Sequence, residues 1–186
     1  NVKTNLKGEL DYTFTPTEAN FVSHEGKSIP TFKGYRREDG NVGVRNEIWI
    51  INTVGCINKT AENLVKMANK TLRAKNVDGV HHFAHPYGCS QLGDDLVYTQ
   101  KILGNLVHHP NAGGVLVLGL GCENNYIDLF KEAIGDYNPD RVKFLSVQLV
   151  DDEMEKGLEL IEELVEYADS FSREDIPVSE LKIGLK

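Results

Sequence analysis

Three glycine-cysteine pairs, Gly55-Cys56, Gly88-Cys89 and Gly121-Cys122, hold all the cysteine of a 186-residue chain and recur at intervals of 33 residues. Each stands where an apolar run gives way to a polar, helix-starting one. A strand with its following helix takes about 30 residues, so this step brings each cysteine to the same end of successive parallel strands. In open α/β sheets that carboxyl end is where ligands sit. Thiolates there can ligate zinc, iron or an iron-sulfur centre, and three protein ligands leave a position open for a substrate oxygen. One activated thiolate can instead serve as a nucleophile. A free cysteine taken alone is as readily inert packing, and the close pairs of structural zinc sites are absent.

The run His81-His82-Phe83-Ala84-His85 leads into the second pair. Strand alternation puts His81 and His85 on one face and His82 on the other. His85, nearest the carboxyl edge, is therefore the candidate ligand or general base, while His81 and His82 suit a buried structural role equally well. His108 and His109, beside Pro110, read as surface residues that complement a helix dipole. Upstream, the segment from Gly34 to Asn46 brings Arg36, Arg37 and Arg45 together with glycines. Guanidinium groups fork carboxylate or phosphate, so this loop can wrap an anion, or be a plain solvated turn. It reaches the cysteine edge only by folding back across the sheet. The run Gly119-Leu120-Gly121-Cys122-Glu123-Asn124 starts like a dinucleotide fingerprint but has Asn124 where the last glycine belongs.

These residues must be positioned by one sizeable core, which 186 residues at 40% hydrophobic and 26% charged content can build. A net charge of −8 argues against a nucleic-acid partner. With no apolar run near the ~20 residues of a membrane helix, no secretory leader and an odd cysteine count that suits a reducing compartment, the expected location is cytoplasmic. Residues 1–30 read as an irregular arm, residues 31–175 as an α/β domain, and residues 176–186 as a segment leading toward an absent following domain, with Leu181–Lys186 alternating like a strand just beginning. Within the domain, Thr31–Arg37 suits a short edge strand and Glu47–Val54 a buried parallel one. A helix capped by Asn58 or Thr60 runs to about Ala74, then a strand spans Gly79–Ala84. The next helix carries Leu96, Thr99, Ile102, Leu103 and Leu106, followed by a strand over Gly114–Leu120. Asn124 or Asn125 opens a helix through Ile134, a strand spans Val142–Val147, and an acidic helix capped by Asp151 and Asp152 runs to Phe171. The expected fold is α/β: three layers, a mainly parallel sheet of about four core strands flanked by helices, and an irregular N-terminal arm.

The blocks Gly34-Tyr35-Arg36-Arg37-Glu38-Asp39-Gly40-Asn41-Val42-Gly43-Val44-Arg45-Asn46, Asn52-Thr53-Val54-Gly55-Cys56, His85-Pro86-Tyr87-Gly88-Cys89-Ser90-Gln91 and Gly119-Leu120-Gly121-Cys122-Glu123 resemble the altronate and galactarate dehydratase family of sugar-acid hydro-lyases, in family order. The resemblance implies a divalent metal, Fe2+ first with Mn2+ or an iron-sulfur centre as alternatives. It also implies an aldonic or aldaric acid substrate, D-altronate first, and loss of water to give a 2-keto-3-deoxy acid. The family's chains are longer, with a small β-rich domain before this region and an α/β domain after it, so the expected partners are those domains, the sugar acid and a second copy in a homo-oligomer. On this reading Cys56, Cys89, Cys122 and His85 are candidate metal-site residues, with His85 as ligand or base. Arg37 and Arg45 are candidates for the substrate carboxylate, and Lys59 for the same anion. Two other readings stay open: a non-catalytic carboxylate-binding or assembly module, and a cysteine-nucleophile enzyme with His85 as base.

Overall fold

The computed structural model describes residues 13–16, 26 and 28–185; the rest of the expected N-terminal arm lies outside the described residues. The chain forms β1 (Thr31–Arg36) and, after a turn, the two-residue β2 (Val42–Gly43). Strands and helices then alternate as β3 (Glu47–Asn52), α1 (Asn58–Thr71), β4 (Gly79–His82), α2 (Gly93–Val107), β5 (Ala112–Gly119), α3 (Ile127–Ile134), β6 (Val142–Ser146) and α4 (Glu153–Asp169), and β7 (Glu174–Pro177) closes the series.

The four strands of the alternating part pair in the order β4-β3-β5-β6, all parallel. Every residue of β3 and β5 is buried, as the centre of a sheet covered on both faces requires. Helices α1 and α4 cover one face, where Leu64 and Leu164 pack with Ile48, Ile50, Leu116 and Leu118. Helices α2 and α3 cover the other through Leu103, Val107 and Phe130, against Trp49, Ile51 and Val117. Each fully buried Leu or Ile contributes roughly 1.5–3 kcal/mol, so these two layers dominate the stability of the domain. The expected three-layer α/β fold is present.

The details differ where local signals compete with long-range bonds. Helix α1 ends at Thr71 because Leu72 turns to φ −51°, ψ 124°. Asp152 alone caps α4, its carboxylate accepting from the amides of Met154 and Glu155 at 2.9 Å each. Ile102, one of the apolar residues that α2 carries, is 61% exposed. Strand β1, expected at an edge, is instead the middle of a second, antiparallel sheet of order β2-β1-β7. The expected strand over Leu181–Lys186 is not there: residues 181–185 form none, and the pairing is made earlier, with Thr31 opposite Pro177 and Gly34 opposite Glu174.

The arginine loop stays at the amino edge of the parallel sheet, fastened by a buried polar knot. Arg37 donates to the carbonyl of Pro110 at 2.8 Å, to Oδ1 of Asn46 at 2.8 Å and to the carbonyl of Arg45 at 3.0 Å. Its guanidinium lies over the rings of Tyr35 and Phe171. Burial, then repulsion from Arg141, pushes it down to about 10, so it is still charged at neutral pH. The amide of fully buried Asn46 donates to the carbonyls of Asn76 and Ala168, and its backbone N–H donates to Asp78. Gly113 must be glycine, since a Cβ there would run into Oδ1 of Asn46.

Removing this hub strands several buried groups at once. Asn46→Ala should lower stability by about 3 kcal/mol, given about 1–3 kcal/mol for each buried partner left unpaired. Chemical denaturation followed by the fluorescence of Trp49, the single tryptophan, measures this; a loss within 0.5 kcal/mol, taken as roughly the size of a neutral surface change, would show that the knot is dispensable.

Candidate functional site

Parallel register aligns β3 with β4 and β5, Glu47 standing opposite both Gly79 and Ala112, so the three cysteine-bearing loops leave the sheet at one edge. They are stitched together pairwise. Gly55 N–H donates to the Tyr87 carbonyl at 2.7 Å, joining the first loop to the second. The Asn124 amide N–H donates to the Cys89 carbonyl, and its side chain to that of Gln91, both at 2.9 Å, joining the second to the third. Asn125 donates to the Thr53 carbonyl at 3.2 Å, joining the third to the first. These bonds explain why α3 starts at Ile127, after both asparagines expected to cap it.

The glycines before the cysteines serve different needs. A Cβ on Gly55 would run into the His85 carbonyl. Gly121 has φ +123°, a conformation that other residues avoid. Gly88 has open space around it.

At the junction of the first and third loops lies Glu123, a residue 4% exposed. Its carboxylate accepts from the Thr53 hydroxyl at 2.6 Å, the Leu120 amide at 2.9 Å and the Gly121 amide at 2.6 Å. Burial opposes its ionisation, and these donors, Thr53 foremost, more than offset that, so the carboxyl lies below the usual glutamate range. Sequence reasoning passed over Glu123 and Thr53. The available signal was a polar Asn52-Thr53 closing an apolar strand, with an acid directly after the last Gly-Cys pair.

Cys56 is exposed on a short 3-10 turn, Cys89 is half-buried, and Cys122 is exposed with its sulfur accepting from Gln148 Nε2 at 3.6 Å; all three are free thiols. His85 Nε2 lies 3.0 Å from the Asn52 carbonyl, while its Nδ1 is buried with no partner among the described residues. Free thiols and a bare imidazole nitrogen on one edge suit a soft divalent metal in donor type. Among the described residues, however, no three His, Cys, Asp or Glu side chains form a group that could hold a metal ion. The edge carries the donors without gathering them into a finished cage.

Of the remaining candidates, Lys59 shares this edge at the start of α1, exposed and paired with Glu62 at 2.8 Å. Arg37 and Arg45 do not. The expected fold-back across the sheet is absent: Arg37 is spent in the amino-edge knot, and exposed Arg45 pairs with Glu47 at 3.2 Å at the start of β3. His81 lies 3.8 Å from the same Glu47, and β4 ends at His82, so strand alternation does not extend to His85. His108 is exposed and contacts the Ile134 carbonyl at 3.0 Å, at the end of α3. Beside the second cysteine loop, Tyr87, Ser90, Gln91 and Asp95 line an open depression of about 520 Å³. A cavity of about 260 Å³ lined by Arg37, Arg141 and Tyr167 belongs to the amino edge and touches none of the cysteines.

Residues 34–169 match the family model described as D-galactarate dehydratase/altronate hydrolase, second domain. The whole chain aligns with the altronate dehydratase of Bacillus subtilis (strain 168) at 54% identity, covering 37% of that protein. It aligns with the altronate dehydratase of Escherichia coli (strain K12) at 44% identity, again covering 37%. The galactarate dehydratase (L-threo-forming) of Escherichia coli (strain K12) is 32% identical over 84% of this chain and 32% of its own length. The chain thus spans about a third of the length of these relatives. Among the described residues, no helix is long and apolar enough to cross a membrane.

The Glu123 carboxylate makes the edge sensitive to acid. Its folded-state pKa lies below the unfolded value of ~4.3, so its contribution is present above that pH and lost as pH falls through the folded value. Glu123→Gln should destabilise the domain by about 2 kcal/mol at neutral pH, the scale of hydrogen bonds to a charged group. Denaturation midpoints of the two proteins should converge as the pH falls below the unfolded value; a gap that does not change with pH would mean that the carboxylate is not the stabilising form.

Proposed function

The chain belongs to the D-galactarate dehydratase/altronate hydrolase family, and from that membership we propose that it is the central domain of a metal-dependent hydro-lyase that dehydrates a sugar acid, D-altronate first, to a 2-keto-3-deoxy acid. The observation that carries the reading is the stitched carboxyl edge, which holds three free thiols together with the buried His85 Nδ1 that has no partner among the described residues.

Dehydration across carbons 2 and 3 removes a weakly acidic proton beside a carboxylate and expels hydroxide from the neighbouring carbon. The first demand needs a base. His85 has one nitrogen engaged and one free, so it has a single lone pair to offer, and we assign it to the C2 proton. The thiols of Cys56, Cys89 and Cys122 would then hold the metal, Fe2+ first with Mn2+ or an iron-sulfur centre as alternatives. Where the thiols do not suffice, His85 joins them as a ligand. When bound, such a metal supplies a Lewis acid that stabilises the departing hydroxide. Lys59 places an ammonium on the same edge for the substrate carboxylate, and its partner Glu62 is exposed and exchangeable. Arg37 and Arg45 serve the amino edge instead. The remaining domains of a longer chain are the natural source of further contacts to the sugar acid.

The full-length protein supplied with D-altronate should form a 2-keto-3-deoxy acid, lose that activity on chelation and regain it with ferrous ion. Cys122→Ser should lower the bound metal without unfolding the domain, and His85→Ala should reduce kcat about 100-fold, within the range of a lost general base. Turnover indifferent to strong chelators but abolished by alkylating one cysteine would replace this reading with a thiol mechanism. No turnover and no stoichiometric metal would leave a binding module.

A further inference from the structure

Three residues at the end of β3 close a hydrogen-bonded ring. The side-chain amide of Asn58 donates to the His85 carbonyl at 2.9 Å. Asn52 Nδ2 donates to Asn58 Oδ1, also at 2.9 Å. The His85 ring returns through Nε2 to the Asn52 carbonyl at 3.0 Å. Each orientation follows from the one before it. A backbone carbonyl only accepts, so the Asn58 atom facing His85 must be nitrogen and its oxygen must face Asn52. Asn52 must then present its own nitrogen, and its Oδ1 is turned away, buried and without a partner among the described residues. By the same rule the ring nitrogen facing the Asn52 carbonyl must carry a proton. In the neutral imidazole the other nitrogen, Nδ1, is then the bare one, and it too is buried without a partner among the described residues.

We infer that Asn52 and Asn58 are positioning residues that hold His85 as its Nε2–H tautomer and so make Nδ1 the nitrogen that meets the reaction. The inference deepens the proposed function, since it rests on His85 being the group that acts. It concerns which atom acts and what keeps it there. Buried polar groups left unpaired are rare in native proteins and call for an explanation; two acceptors left bare in a ring whose donor nitrogens each make a bond are what a site awaiting a proton or a cation looks like. The ring of Tyr87, 5.6 Å from that of His85 and 53% exposed, lies beside the imidazole on the solvent side. Asn58 also ties helix α1 to the second cysteine loop, so the device spans two of the three loops of the edge.

The test is the nitrogen spectrum of the full-length protein labelled with 15N in histidine, with the His85 signals assigned by their disappearance in His85→Ala. At about pH 8, above the ~6.5 of a free imidazole, the resting protein should show a protonated Nε2 and a bare Nδ1. Asn58→Ala should let the two tautomers mix and lower kcat on D-altronate by about tenfold, a fraction of what a general base supplies, with KM changed by less than about twofold. A protonated Nδ1 in the wild-type protein overturns the inference, and so does an Asn58→Ala protein that keeps the single Nε2–H form and full kcat. If that variant does not fold, the wild-type spectrum decides alone. Absence of altronate turnover in the wild-type protein would count against the proposed function and leave the tautomer assignment standing.

Discussion

The carboxyl edge depends on one buried anion. Glu123 keeps its negative charge in the protein interior with no lysine or arginine among its hydrogen-bond partners in the described residues, because a hydroxyl and two backbone amides converge on it. The amides belong to the turn that ends β5, and the hydroxyl belongs to the residue after β3. A single carboxylate therefore sets both the shape of the Cys122 turn and its distance from the first loop. Asn125 adds a second tie between these two loops, and the bonds of Asn124 extend the frame to the second loop. A neutral side chain of the same shape could fill the space, but it could not satisfy all three donors.

The parallel sheet divides the labour between its two ends. At the amino edge, Arg37 and Asn46 use nearly all their polar atoms on carbonyls and amides of the surrounding loops. At the carboxyl edge, polar atoms are left over, among them the buried acceptors Asn52 Oδ1 and His85 Nδ1 and three free thiols. Saturated polar networks rigidify, whereas an unsatisfied buried group calls for an explanation such as a catalytic role or a bound ion. That contrast separates the two clusters of chemically capable residues more clearly than composition does, since arginines and histidines are plausible ligand binders at either end.

The α/β rhythm was legible because it is written locally. Apolar β-branched runs in Glu47–Asn52 and Ala112–Gly119, each followed by Gly-Cys and an amphipathic stretch, leave little choice of element. The placement of the cysteines at one edge followed from the same spacing. What was not legible depends on contacts between residues far apart in the chain. Asn124 and Asn125 have the local signature of helix caps, yet their side chains bond to residues 33 and 72 positions away. The arginines read as an anion loop because their type suits one; their partners, such as Pro110, lie 73 positions from Arg37 and carry no recognisable signal. Strand β7, of the unpromising composition Glu-Asp-Ile-Pro, exists because β1 offers it a free edge, and its single buried residue, Ile176, packs beside Gly34, its Cδ1 3.1 Å from where a Cβ there would stand.

The pairing of β1 with β7 has a mechanical meaning. Thr31 opposes Pro177 and Gly34 opposes Glu174, so the chain enters and leaves the α/β body side by side, at the same end of one antiparallel ladder. Tension applied along the chain from outside this clasp would fall first on the bond from Val178 N–H to the Pro30 carbonyl and then on each rung inward from Thr31–Pro177, as in a zipper, instead of shearing all of them together. Such a geometry yields at low force and in small steps. The fully buried pair β3 and β5, and the cysteine-bearing loops beyond it, would feel the load only after the clasp had opened, which makes the small second sheet a sacrificial fastening that shields the carboxyl edge from strain arriving through the backbone.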